Sequence, residues 1–171
     1  MLPDLQKLIE ALCRHQVEFI IVGGMAAVAQ GAPVTTFDLD ICYRRTPENL
    51  ERLVVALSPF NPTLRGAPEE LPFVFDARTL SMGCNFTLST DAGDVDLLGE
   101  LTVIGSYDAL EPKAQTLDIF GFPVKVMHLR DLICVKEAIG RLKDRAVLEI
   151  LKETLRLSEE EIGGNHAPAE I

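Results

Sequence analysis

The sequence predicts an α+β fold, a small twisted mixed β-sheet with helices on one side. Three observations carry this. Helical and strand patterns alternate over the first sixty residues, two hairpin signals follow, and apolar helical stripes close the chain. The reading is of a single domain over 1–157, with a core at about 17–128 and C-terminal helices over 129–157. Residues 158–171 are acidic, with Gly, Asn and Pro, and are expected to form a flexible tail.

Residues 3–15 read as a helix, with Pro3 in the first turn and Leu5, Leu8, Ile9 and Leu12 on one stripe. Val17–Val22 is rich in β-branched residues and reads as a strand ended by Gly23-Gly24. Met25–Gln30 is a short Ala-rich helix stopped by Gly31 and Pro33. Thr36–Arg44 is a second strand. Thr46-Pro47-Glu48 then offers a cap, a first-position proline and an acid in the first turn of a helix that buries Leu50, Leu53, Val54 and Leu57. Residues 58–72 form a proline-rich loop long enough to suggest a part in a site. Phe73–Asp76 reads as a short strand. Asn85–Thr90 and Asp94–Leu98 flank an Asp-Ala-Gly turn, and Thr116–Phe120 and Val124–Met127 flank Gly121-Phe122-Pro123. Arg130–Ile139 is a helix with Leu132, Ile133, Val135 and Ala138 inside. Asp144 is expected to cap a last helix that buries Val147, Ile150, Leu151 and Leu155.

The composition excludes several classes. At 47% apolar residues the chain can build a core. It has no run of eighteen apolar residues, hence no membrane span, and it opens on an amphipathic pattern rather than a signal peptide, so a cytoplasmic protein is expected. The four cysteines stand far apart in apolar contexts and read as reduced, buried side chains. His15, His128 and His166 have no zinc spacing and read as ordinary polar positions. A net charge of −10 disfavours broad nucleic-acid binding but leaves room for a local basic groove.

Chemistry concentrates on the strand carrying Thr36, Asp38 and Asp40. Side chains alternate along a strand, so Asp38 and Asp40 share one face while Phe37, Leu39 and Ile41 take the other. Asp94 and Asp96 repeat the pattern on a later strand. Were the two strands neighbours, Asp38, Asp40 and Asp96 would converge, and three hard oxygen donors suit Mg²⁺ or Mn²⁺, with room for two ions. Gly23-Gly24, at the start of a short helix, would let backbone amides approach phosphate.

This combination resembles the DNA polymerase β-like nucleotidyltransferase superfamily. Gly23, Gly24, Asp38, Asp40 and Asp96 match its motif positions, and Lys136–Asp144 resembles the tail of small bacterial AbiEii-like toxin-type members; together these span about 17–151. The resemblance implies the nucleotidyltransferase fold and Mg²⁺-dependent transfer of a nucleoside monophosphate from an NTP to an acceptor hydroxyl, with release of pyrophosphate. It implies Asp38 and Asp40 as metal ligands, and Asp96 as a shared ligand and base-like group. The acceptor stays open among RNA such as tRNA, protein and small molecules, and toxin-type membership implies an antitoxin partner. The family motif has Ser where this chain has Gly24, which leaves triphosphate contact to the backbone. The motif also favours Asp96, just before Leu97-Leu98, over Asp94, which reads as a turn residue beside Gly93.

Lys136, Arg141 and Lys143 admit two readings. They form a basic patch gripping the triphosphate, with Thr36 and the glycines completing a nucleotide-binding set, or they lie on a solvated face with a salt bridge to Glu137 or Asp144. Arg44 and Arg45 read as exposed strand-end residues. Two further functions stand beside the enzyme: a non-catalytic nucleotide- or partner-binding protein that keeps the fold, favoured by Gly24, and an unrelated metal-binding α/β domain.

Overall fold

Helix α1 (Leu5–Arg14) is capped by Asp4, whose side chain accepts from the Lys7 N–H, so Pro3 lies before the cap rather than inside the helix. It buries Leu8, Ile9 and Leu12. Strand β1 (Phe19–Val22) is buried along its whole length and runs straight into α2 (Gly23–Ala29), so the two glycines form the first turn of that helix. Strand β2 (Asp38–Tyr43) follows. Helix α3 (Pro47–Leu57) starts as expected: Thr46 caps it by accepting from the Asn49 N–H. The wholly buried Asn49 accepts from the Glu18 N–H and donates to the Glu18 and Arg44 carbonyls, tying the start of β1 to the end of β2. A buried amide is tolerated there because its donors and acceptor are satisfied.

The computed structural model describes residues 3–68 and 71–164. The proline-rich stretch is not a loop throughout. It contains a 3-10 turn (Ser58–Phe60) and a short edge strand β3 (Thr63–Leu64). Phe73–Asp76 is not a strand. Asp76 caps α4 (Ala77–Met82), accepting from the Thr79 N–H, a helix too short for a periodic signal. The hairpin β4 (Asn85–Thr90) and β5 (Gly93–Leu98) is as expected. A small β6 (Glu100–Leu101), β7 (Gly105–Ser106) ribbon and α5 (Tyr107–Leu110) come next, none with enough residues to announce itself in sequence.

In the second hairpin, β8 (Gln115–Ile119) and β9 (Phe122–Val126), the turn is Phe120-Gly121, both at positive φ, and Pro123 belongs to the strand. Mirror-type two-residue turns match strand twist, which accounts for the shift from the expected Gly121-Phe122-Pro123. Helix α6 (Leu129–Ile139) ends at Gly140 in the left-handed conformation. Ala138, expected inside, is exposed. Helix α7 (Arg145–Gly164) buries Leu151, while Val147 and Leu155 are only half-covered. It runs through 158–164, expected as tail; 165–171, with His166, lie outside the described residues.

Among the described residues, seven strands form one mixed sheet in the order β3-β4-β5-β2-β1-β9-β8. The β5–β2 and β1–β9 pairs are parallel and the others antiparallel. Helices α1, α3 and α4 pack in succession, and α2, α6 and α7 form a second succession, α2 lying against β2. Leu39, Ile41, Val95 and Leu97 are fully buried, which leaves the alternate positions of β2 and β5 for polar groups. The sheet thus sets its two acidic strands side by side near its centre. Only Cys42 of the cysteines is buried; Cys134 lies exposed on α6, because it falls off that helix's apolar stripe. No helix among the described residues is long and apolar enough to cross a membrane.

Candidate active site

The parallel pairing of β2 and β5 registers Asp38 against Asp94 and Asp40 against Asp96. Carboxylate oxygens of Asp38, Asp40 and Asp96 lie within 4.8 Å of one another, and all three residues are half-buried. Val22, the last residue of β1, pairs with Asp40 from the other side, so the helix start at Gly23 overhangs the same point.

Both glycines are explained by this crowding. A Cβ on Gly23 would stand 2.0 Å from Asp40 Oδ2, and Gly23 has φ +61°. A Cβ on Gly24 would meet Thr36 Oγ1 at 2.7 Å. The glycines therefore make room for the carboxylate strand itself, with Thr36 filling the space beside Gly24. The Thr36 hydroxyl lies 3.0 Å from Asp38 Oδ1 and 3.1 Å from the Asp38 carbonyl, which it can serve as donor.

Packing three acids together has an electrostatic consequence. Burial, then the charges of Asp38 and Asp96, push the Asp40 carboxyl up to about 7, against the opposing pull of Arg65 and Lys136. Burial also raises Asp96, although the Arg65 guanidinium beside it works in the opposite direction. Such a donor set, all hard oxygens and short of positive charge, fits Mg²⁺ or Mn²⁺.

Next to the acids lies a cleft of about 350 Å³ whose lining includes Gly23, Asp40, Asp96, Lys136, Arg141 and Asp144. Leu98, Met127, Leu132, Val135 and Ile139 supply an apolar wall. Lys136 Nζ is 3.1 Å from Asp144 Oδ1, and both side chains are largely covered.

No protein-family model matches the chain, and no curated protein matches it. Solved structures do. The Thermotoga maritima protein TM1012, itself assigned only provisionally as a nucleotidyltransferase, superposes with a TM-score of 0.53 at 20% identity, over 92% of this chain and 91% of that one. ANT(2″)-Ia, solved in complex with adenylyl-2″-tobramycin, superposes with a TM-score of 0.55 at 14% identity, over 92% of this chain and 91% of that one. The chain has a nucleotidyltransferase fold.

Within this nucleotidyltransferase fold, the residues singled out in sequence divide into three groups. Asp38, Asp40 and Asp96 come together, with Gly23 against Asp40, Thr36 against Asp38 and Gly24 against Thr36. Lys136 and Arg141 line the cleft beside Asp40 and Asp96, and Lys136 makes the expected salt bridge to Asp144 but is largely covered rather than on a solvated face. Lys143 is exposed in a 3-10 turn (Leu142–Asp144) and does not line the cleft. Asp94 is no mere turn residue. It lies in β5, where its two oxygens meet Ser89 Oγ and Arg65 Nη1. Arg65 was not legible as a site residue; the only signal was the length of the stretch that carries it. Asn85 and Glu100, also in the cleft lining, gave none.

Proposed function

We propose that the chain is a metal-dependent nucleotidyltransferase that moves a nucleoside monophosphate from an NTP to an acceptor hydroxyl. The observation that carries this reading is the convergence of Asp38, Asp40 and Asp96 across β2 and β5, in a fold shared with ANT(2″)-Ia. Asp38 and Asp40 would hold Mg²⁺ or Mn²⁺, which when bound supplies charge neutralisation at the reacting phosphate. The Gly23 and Gly24 backbone, with Thr36, would lie along the triphosphate. Lys136 and Arg141 would offset its charge from the cleft wall, and the apolar wall suits a base or sugar face. The acceptor oxygen attacks the α-phosphorus, the bond from that phosphorus to the bridging oxygen breaks, and pyrophosphate leaves. The proton of the acceptor hydroxyl passes to Asp96, whose affinity for protons is raised by burial.

The acceptor classes are RNA, protein and small molecules. ANT(2″)-Ia holds an adenylylated small molecule, adenylyl-2″-tobramycin, which favours ATP and a small hydroxylated acceptor. The narrower reading of an AbiEii-like toxin acting on tRNA beside an antitoxin rests on the Lys136–Asp144 segment alone. A cytoplasmic location accords with the supply of NTP and Mg²⁺. The binding-only alternative is favoured by one observation: Gly24 stands where the family motif has Ser, so contact with a triphosphate falls to the backbone.

The test is transfer of label from each α-labelled NTP, with Mg²⁺ or Mn²⁺, to total RNA, total protein and aminoglycosides. Label that disappears in Asp38→Asn and Asp40→Asn supports the enzyme. Metal-dependent NTP binding without transfer to any acceptor supports the binding-only alternative.

A further inference from the structure

Arg65 joins the acids from outside the motif. It follows β3 directly, and its backbone N–H donates to the Thr87 carbonyl at 2.9 Å, which fixes its root on the sheet. Its guanidinium forks: Nη1 lies 3.1 Å from Asp94 Oδ2, and Nη2 bonds Asp96 Oδ1. Asp94 is itself held, its Oδ1 accepting from Ser89 Oγ at 2.9 Å. The arrangement is braced at every joint. The extra acid of β5 works as a tether that holds a cation against the third carboxylate.

We propose that Arg65 is a resident cation standing in the place of a second divalent ion, so that this site takes one ion, on Asp38 and Asp40. The inference rests on the metal site proposed above and narrows the two-ion expectation of the sequence to one. Asp38 and Asp40 receive one divalent ion, and Asp94 and Asp96 share the one guanidinium, so each pair of carboxylates has a cation of its own. An arginine suits this post because its charge does not titrate away and its planar fork spans two carboxylates. A second ion would have to pull Asp96 from a charge-assisted bond anchored at both ends. Asp96, held by one oxygen, remains an oriented carboxylate facing the acceptor. Arg65 is thus a positioning residue.

The experiment is Mn²⁺ titration of the full chain followed by electron paramagnetic resonance, which counts bound ions without any turnover. Wild type is expected to bind one Mn²⁺, and Asp96→Asn to bind one as well. Arg65→Gln is expected to bind a second Mn²⁺, and in that background Asp96→Asn is expected to return the count to one. Arg65→Lys, which keeps the charge, is expected to stay at one ion. Two Mn²⁺ ions of similar affinity in wild type would overturn the inference and leave the metal site standing. So would a change in the number of bound Mn²⁺ ions in Asp96→Asn alone, a result that needs no Arg65 variant to fold. Mn²⁺ binding untouched by Asp38→Asn and Asp40→Asn would overturn the metal site, and this inference with it.

Discussion

Asp40 and Asp96 face each other in register across a parallel strand pair, with the start of α2 lying against Asp40. That one relationship concentrates negative charge at the mouth of a cleft and makes the site sensitive to cations, to pH and to any atom added at Gly23.

Divalent cations should stabilise the fold. An ion that binds only the folded chain adds about 2.7 kcal/mol at a hundredfold excess over its Kd. Thermal unfolding with and without millimolar Mg²⁺ or Mn²⁺ should show the rise in wild type and lose it in Asp38→Asn. An unchanged Tm in wild type would contradict the metal site.

Without metal, stability should fall as pH rises from about 4 to about 7. In that window folded Asp40, with its carboxyl held up to about 7, keeps a proton that the unfolded chain has released. The folded state therefore binds more protons, and each pH unit gained weakens it. The penalty is absent below about pH 4 and complete above about pH 7, amounting to a few kcal/mol. Unfolding in EDTA across this range should show wild type losing stability relative to Asp40→Asn. Parallel curves would show that Asp40 is not strained by its neighbours.

Gly23→Ala should damage site and fold together. The left-handed backbone alone costs about 1–2 kcal/mol, and the added carbon would push Asp40 aside. Gly24→Ser meets a different obstacle, the Thr36 side chain. Thr36→Gly, which removes both the Oγ1 and the Cβ that the new side chain would meet, should therefore restore part of the stability lost in Gly24→Ser, read as Tm of the double variant. A double variant no more stable than Gly24→Ser would show that the conflict lies elsewhere.

Lys136→Ala and Lys143→Ala should differ, although both are cations of the same segment. Lys136 lines the cleft, and losing a charge-assisted bond to phosphate is worth about 1.5–3 kcal/mol, on the order of tenfold or more in NTP affinity. Lys143 stands outside the cleft, and its removal should leave affinity within about twofold. Calorimetric titration with a non-hydrolysable NTP in Mg²⁺ separates the two; equal effects would remove Lys136 from the nucleotide site.

The acidic strand was legible without any structure, because alternation is a local property: Asp38 and Asp40 share a face whatever the rest of the chain does. Capping signals are equally local, and Thr46-Pro47 began α3 where expected. Elements of two to six residues, such as α4, β6 and β7, escaped because they are shorter than the period that would reveal them. The burial of each apolar stripe was only partly legible, since the cover over Ala138 depends on what packs against α6.

Sequence by itself determined which residues had the chemistry: two aspartates at period two, a second such pair, and glycines ahead of them. Tertiary structure decided which of these meet. Strand pairing set Asp40 beside Asp96 rather than Asp94, and an edge strand delivered Arg65 to carboxylates 29 and 31 residues further along the chain. The physical reason is that periodicity is written in neighbouring residues, whereas register and the reach of a guanidinium follow from how distant strands share one hydrogen-bonded sheet.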